Sequence, residues 1–171
     1  MIRGNCTRIG EKDEETAFID RTLTSIENNT VTKIENGAFS GCTSLQDVSF
    51  PAVTIVSSYA FNNCTSLKNV SIPSATKIYD YAFGYASQLK EITLPSVTKI
   101  SSYAFWYCTE FFKLYLPSQT VCQLDDVNAF GYTRLGVGYI YVPTELYNDY
   151  IADSKWSTYS SRIFAYSFGG Q

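Results

Sequence analysis

The chain has 171 residues, enough for one domain with a real core, and its 45% hydrophobic and 17% charged residues mark it as globular rather than disordered. A net charge of -3 has the wrong sign for a nucleic-acid binder, whose phosphate contacts need a basic footprint. Histidine is absent, which removes the commonest general base, the commonest zinc ligand and every Ser-His-Asp or Cys-His site that this chain could assemble alone.

The opening stretch, MIRGNCTRIGEKDEETAF, holds no apolar segment between its charges and does not read as a secretory signal. No apolar run approaches the roughly 20 residues that span a bilayer. The acidic cluster EKDEE at 11–15 reads as a solvated loop, because no turn glycine or alternating ligand spacing comes after it. Residues 1–30 are therefore expected to form an N-terminal cap that ends in a degenerate copy of a 22-residue unit. In that copy Leu23 and Ile26 stand 22 residues before Leu45 and Val48.

From residue 31 the chain repeats itself. VTKIENGAFSGCTSLQDVSFP (31–51) is succeeded by VTIVSSYAFNNCTSLKNVSIP (53–73), ATKIYDYAFGYASQLKEITLP (75–95) and VTKISSYAFWYCTEFFKLYLP (97–117). Phe39, Phe61, Phe83 and Phe105 are spaced by 22, as are Pro51, Pro73, Pro95 and Pro117. The apolar columns Ile34/Val56/Ile78/Ile100, Leu45/Leu67/Leu89/Phe111 and Val48/Val70/Ile92/Leu114 keep the same phase. A unit this short cannot bury its own apolar side and must stack on its neighbours. Segments such as LKNVSIP alternate at period two and read as strands that proline ends. The shorter VTKI is a second extended piece. The expected product is a β-rich solenoid over 31–119, with equivalent residues about 4.8 Å apart on successive rungs.

Cys42, Cys64 and Cys108 share one column with Ala86, so that column wants a small buried side chain. Cys64 and Cys108 would lie two rungs, about 10 Å, apart, too far for a disulfide. Structural thiols are the expectation.

The last unit is the aromatic one. Phe105, Phe111, Leu114 and Leu116 belong to scaffold columns. Trp106, Tyr107, Phe112 and Tyr115 occupy columns that hold Ser, Asn, Gly, Gln, Lys or Thr in most other copies, so they should point outward. Two explanations stand: this rung packs under the C-terminal cap or a partner subunit, or it is a recognition surface. Tyrosine and tryptophan offer rigid amphipathic contact area, here among Ser, Asn and Gly. With Tyr79 and Tyr85 from the preceding unit, the candidate ligand contacts are Tyr79, Tyr85, Trp106, Tyr107, Phe112 and Tyr115. Aromatic faces of this kind also suit sugar rings.

Residues 120–166 read as a further degenerate repeat (Ala129, Phe130, Ile140, Val142, Pro143) and then a small α-helical cap. In that cap Thr144 is expected to N-cap a helix whose apolar face is Leu146, Tyr147, Tyr150 and Ile151. After a break near Asp153–Ser154, Trp156, Tyr159 and Ile163 are expected to continue that face. Residues 167–171 read as a frayed tail.

The pattern I–x–x–x–A–F–x–x–C–x–x–L–x–x–V–x–I–P, running almost without gaps through 31–117, resembles the BspA-like leucine-rich repeat. The stretch GYIYVPTELYNDYIADSKWSTYSSRIF resembles the closing module of such proteins in gut bacteria and their prophages. The resemblance implies a non-enzymatic, extracellular recognition or adhesion role, on a cell surface or on a phage tail, with a protein or glycan on a cell surface as partner. A phage particle leaves by lysis and would need no export signal. The resemblance implies no cofactor, metal or catalytic residue. No nucleic acid or membrane insertion is expected, and a homo-oligomer is a further option. Two other classes compete. One is an assembly protein that binds only its own neighbours. The other is a carbohydrate-active enzyme using Asp47 and Glu91, which share a column and would stand about 10 Å apart.

Overall fold

Each repeat unit makes one coil, and the coils stack. The computed structural model describes residues 8–9 and 22–168. In chain order its strands are β1 (Arg8–Ile9), β2 (Ser25–Glu27), β3 (Lys33–Ile34), β4 (Asp47–Ser49), β5 (Ile55–Val56), β6 (Asn69–Ser71) and β7 (Lys77–Ile78). They continue as β8 (Glu91–Thr93), β9 (Lys99–Ile100), β10 (Lys113–Tyr115), β11 (Gln123–Leu124), β12 (Tyr139–Pro143) and β13 (Ile163–Tyr166). On one side β1, β3, β5, β7, β9 and β11 form a six-stranded parallel sheet in that order. On the other side lie β2-β4-β6 and β8-β10-β12-β13. The EKDEE cluster lies outside the described residues.

Register matches the period. Ile55 pairs Lys77 and Lys77 pairs Lys99 on the first side; Val48 pairs Val70 and Ile92 pairs Leu114 on the second. Because identical positions face each other, identical side chains stack. Phe39, Phe61, Phe83 and Phe105 form a buried ladder with ring centroids 5.2–5.3 Å apart and nearly parallel planes. Phe130 adds a fifth ring at 5.5 Å from Phe105. Each fully buried phenylalanine stabilises the stack by roughly 1.5–3 kcal/mol. At the first described coil Ile26 pairs Val48, and the buried Asn28 Oδ1 accepts the N–H groups of Thr30 and Val31, both at 2.9 Å.

The thiol column links successive coils. Cys64 Sγ donates to Phe39 O at 3.1 Å and Cys108 Sγ to Phe83 O at 2.9 Å. Cys42, Cys64, Cys108 and Cys122 are buried thiols. Burial pushes the Cys64 and Cys122 thiols up to about 12, with Cys42 adding to the first, and raises Cys108 as well.

The second side is interrupted. β6 and β8 are not hydrogen-bonded to each other. Phe50 N donates to Ser71 O and Leu94 N to Tyr115 O, both at 2.9 Å, but among the described residues no such bond joins Ile72 to Thr93. Val70, beside this gap, is half-buried where Val48, Ile92 and Leu114 are buried.

The C-terminal closure is helical in part, with two differences from expectation. Thr144–Leu146 form a 3-10 turn that runs into helix α1 (Tyr147–Ala152). The residue at the cap is Pro143, and no side-chain hydrogen bond caps the turn, so Thr144 is the first residue inside it rather than its cap. The ring of Pro143 fixes its φ, here -55°, and so sets the entry of the chain into the turn without any hydroxyl. After the break, Asp153 Oδ1 accepts from Lys155 N and Trp156 N, starting a 3-10 helix at Trp156–Arg162. Ile163 does not continue that helix: it opens β13, which pairs β12 in parallel. The free edge of β12 attracts it, since an unpaired ladder offers backbone partners that a helix end lacks. The cap docks through Cys122, whose N–H donates to Tyr150 Oη at 2.9 Å and whose carbonyl accepts from Trp156 Nε1 at 2.7 Å. Tyr150 and Trp156 are fully buried.

Candidate functional site

The turn side of the solenoid holds two columns of left-handed backbone. The first is Gly37, Tyr59, Tyr81 and Tyr103, at φ between 54° and 65°. The second is Gly41, Asn63, Tyr85, Tyr107 and Tyr132, at φ between 56° and 76°. Tyrosine avoids this region unless the surroundings impose it. Here the next rung does: the N–H groups of Gly41, Asn63, Tyr85 and Tyr107 donate to Asn62, Gly84, Trp106 and Gly131 carbonyls at 2.7–2.9 Å. The left-handed turn aims each N–H at the adjacent coil.

Stacking compensates the strain. Tyr59, Tyr81 and Tyr103 form a ladder at 5.1–5.2 Å between centroids. Tyr85 stacks on Tyr107 at 5.4 Å, and Tyr107 meets Tyr132 at 4.9 Å. This second row is exposed along its length, Tyr85 and Tyr107 at 42% and Tyr132 at 65%, whereas in the first row Tyr59 is 47% exposed but Tyr81 and Tyr103 are half-buried. Within a stack the ring faces cover one another, leaving edges and hydroxyls to solvent. Among the described residues no ring comes after Tyr132 in its row, so its outer face is open.

The six candidate contacts do not form one site. Tyr85 and Tyr107 lie together in the exposed row. Trp106 supports that row. Half-buried, it lies edge-to-face with Tyr103 at 5.0 Å and Tyr132 at 4.7 Å, and close against Gly131. A Cβ at Gly131 would fall 2.2 Å from the Trp106 ring, so glycine there makes room for the indole. Tyr79, half-buried at the end of β7, has no aromatic partner among the described residues. Phe112 and Tyr115 belong to the sheet side. Phe112 is half-buried beneath Lys113, whose Nζ sits 5.3 Å from its ring.

Tyr115 opens a second aromatic surface that the 22-residue columns do not reveal. It stacks on Tyr141 at 4.8 Å, which in turn meets Tyr139 at 6.0 Å, Phe164 at 6.3 Å and Tyr166 at 5.6 Å. Burial raises the Tyr115 hydroxyl above its ordinary range, against the opposing effect of Lys113. Tyr139, Phe164 and Tyr166 are 40–47% exposed. Their signal in the sequence is the alternation in YIYVP and IFAY. Tyr132 is the residue missed in the Tyr85–Tyr107 row, and its signal is GY at 131–132 in the columns of Trp106 and Tyr107.

Further along the sheet side, β2, β4, β6 and β8 line a shallow cleft of about 510 Å³ that crosses the sheet interruption. Asp47 and Glu91 both line it. Asp47 accepts a hydrogen bond from Asn69 Nδ2, and Glu91 pairs with Lys113 at 3.6 Å. Both carboxylates are exposed, each engaged with a neighbour in its own row. Among the described residues no three His, Cys, Asp or Glu side chains gather where they could hold a metal, and no helix is long and apolar enough to cross a membrane.

Comparison with known proteins agrees with this architecture. The family profile described as the BspA type leucine rich repeat region matches residues 11–135 as six copies. The chain belongs to that family. A leucine rich cell surface protein from Faecalibacterium prausnitzii shares 25% identity over 83% of this chain and 45% of its own, with a TM-score of 0.60. A leucine-rich repeat protein from Bacteroides ovatus shares 24% identity over 84% of this chain and 36% of its own, at a TM-score of 0.62. The pneumococcal vaccine antigen PcpA, at 12% identity over 84% of this chain and 40% of its own and a TM-score of 0.54, shares the fold. The chain thus spans less than half the length of each of these solved structures. No curated protein matches it significantly.

Proposed function

We propose that this BspA-type leucine-rich repeat chain is a non-enzymatic recognition module that works outside the cell and binds a protein surface through the Tyr85–Tyr107–Tyr132 row. The observation that carries this reading is the row itself. Tyr85 and Tyr107 are held by backbone bonds to the next rung, and Tyr132 by ring contacts with Trp106 and Tyr107, so the three lose little freedom on binding. Large, rigid, amphipathic side chains of this kind dominate protein interfaces. Stacked rings also favour a protein over a glycan, because the rings turn faces toward one another and only the end rings, Tyr85 and Tyr132, keep a face without a ring neighbour in the row. An extracellular site of action is in keeping with the surface location given for the Faecalibacterium neighbour. The absence of histidine and the engagement of Asp47 and Glu91 with Asn69 and Lys113 support a binding role over catalysis.

The test is binding of labelled protein to whole gut bacteria, before and after protease shaving of the cells, alongside a glycan array. The comparison variant is Tyr107→Asn/Tyr132→Asn, since Asn63 already occupies this column at positive φ. Trp106 stays intact because it packs against Gly131. Cell binding that shaving abolishes, and that the variant lowers at least about tenfold while it remains fully folded at the assay temperature, is the expected result. Equal binding by the variant overturns the reading. A changed particle mass without any loss of cell binding favours the assembly alternative.

A further inference from the structure

We propose that β13 is a self-pairing edge, through which two copies of this chain join their four-stranded sheets into one continuous eight-stranded sheet. β13 pairs β12 along one side, from Ile140↔Ile163 to Pro143↔Tyr166, and among the described residues no strand covers its other side. Natural edge strands are blunted by lysine, proline, a bulge or a covering element. The segment Ile163–Phe168 reads IFAYSF, with no charge and no proline. Its composition is that of a strand that seeks a partner.

Beyond the buried Ile163, both faces of β13 carry exposed side chains. Outward, Phe164 and Tyr166 extend the aromatic surface of Tyr115, Tyr139 and Tyr141. Inward, Ala165 lies beside the buried Val142 but is itself exposed, so the last apolar layer is open along this edge.

A second copy fits this edge without further requirements. Antiparallel pairing centred on Ala165 sets Phe164 opposite Tyr166 of the other copy, twice over. Such aromatic cross-strand pairs each contribute about 0.2–1 kcal/mol. The contact is isologous and closes on itself, giving a dimer instead of a growing fibre. The nearest charge, Arg162, would lie about 20 Å from its counterpart along the paired strands, beyond the screening length of about 8 Å at physiological salt. One strand pair is a small interface, so the expected dimer is weak, with Kd on the order of 10–100 µM.

Sedimentation velocity of the full chain, from about 1 µM to about 1 mM, reads the association directly. Phe164→Lys and Tyr166→Glu variants should each be monomeric. Mixing the two should restore a heterodimer, because the ammonium introduced in one copy would then face the carboxylate introduced in the other. Ala165→Cys in a Cys6→Ser background should give a symmetric disulfide dimer under mild oxidation, the other four thiols being buried. A wild-type monomer throughout the range overturns the proposal. So does a dimer that Phe164→Lys leaves intact at an unchanged melting temperature, or one that Ala165→Cys does not trap.

Discussion

The left-handed tyrosines make a quantitative claim that Tyr81 tests cleanly. Its φ is 54°, and its ring lies between Tyr59 at 5.2 Å and Tyr103 at 5.1 Å. Two effects oppose each other. Left-handed backbone costs a non-glycine residue about 1–2 kcal/mol, while each stacked pair returns about 0.5–1.5 kcal/mol. Tyr81→Ala removes both ring contacts and keeps the strain, so it should cost about 1–3 kcal/mol. Tyr81→Gly loses the same contacts but releases the strain, recovering about 1 kcal/mol. The glycine variant should therefore be the more stable of the two, by about 1 kcal/mol or a few degrees of melting temperature. That inverts the usual order, in which glycine in regular structure costs about 0.5–1 kcal/mol relative to alanine. Urea denaturation monitored by far-UV circular dichroism measures it, provided the slopes match wild type, since stacked repeats can lose cooperativity. An alanine variant at least as stable as glycine would refute a strained turn. Wild-type stability in both would refute the contribution of the stack.

Three further outcomes rest on the same packing. The four described thiols should resist iodoacetamide at pH 8 in the native protein, leaving at most Cys6 labelled, and all five cysteines should react in urea; mass spectrometry counts them. Native labelling of Cys64, whose thiol is pushed up to about 12 by burial, would contradict the packed column. Tyr150→Phe keeps the ring against Trp156 but leaves the buried Cys122 N–H without its acceptor, and should cost about 1–3 kcal/mol by chemical denaturation; a negligible change would mean the cap is not held there. Burial alone would raise the Asp125 carboxyl, but the Lys99 ammonium at 2.9 Å, helped by Ser101 and Lys155, holds it below the usual range. A depressed folded pKa gives stability that is present above the unfolded value of about 3.9 and is lost as pH falls through the folded one. Asp125→Asn should thus cost about 0–1 kcal/mol at pH 7, with the gap to wild type closing below about pH 4.

The repeat was legible because its cause is repetition. A phenylalanine that stacks on its own copies must recur at one interval, so Phe39 through Phe105 announce the rod directly. The turn geometry was less legible, although a signal existed. Gly37 and Gly41 head the two left-handed columns, and Asn63 stands in the second; glycine and asparagine exchanging with tyrosine points to positive φ. Read as a change of size alone, the same columns suggest only outward rings. Tyr132 and the Tyr139–Tyr166 surface were obscured because the interval from Phe105 to Phe130 widens to 25 residues, which breaks the column count. Ile163 illustrates a different limit: four apolar residues after a helix fit a helical face or a strand equally, and the free edge of β12 decides between them. The gap between β6 and β8 has no counterpart in the letters, since NVS and EIT alternate as the paired strands do.

Both exposed columns change in one direction along the chain. The second turn column runs Gly41, Asn63, Tyr85, Tyr107, Tyr132. The outward sheet positions run Asp47/Ser49, Asn69/Ser71, Glu91/Thr93, Lys113/Tyr115, Tyr139/Tyr141, Phe164/Tyr166. The phenylalanine core beneath them does not change, so stability gives no reason for the gradient. Interaction energy concentrates at the C-terminal end, where the proposed contact row and the proposed pairing edge lie on different sides of the same last coils. Dimerisation through β13 would then place two Tyr85–Tyr107–Tyr132 rows in one particle, and two linked weak sites can exceed a single one by about 10²–10⁴ on a surface crowded with ligand. Phe164→Lys separates the two roles. It leaves the row untouched, so binding to an isolated monovalent partner should be unchanged while retention on whole cells falls. Equal retention by the monomeric variant would show that each row binds alone, and that pairing contributes nothing to recognition.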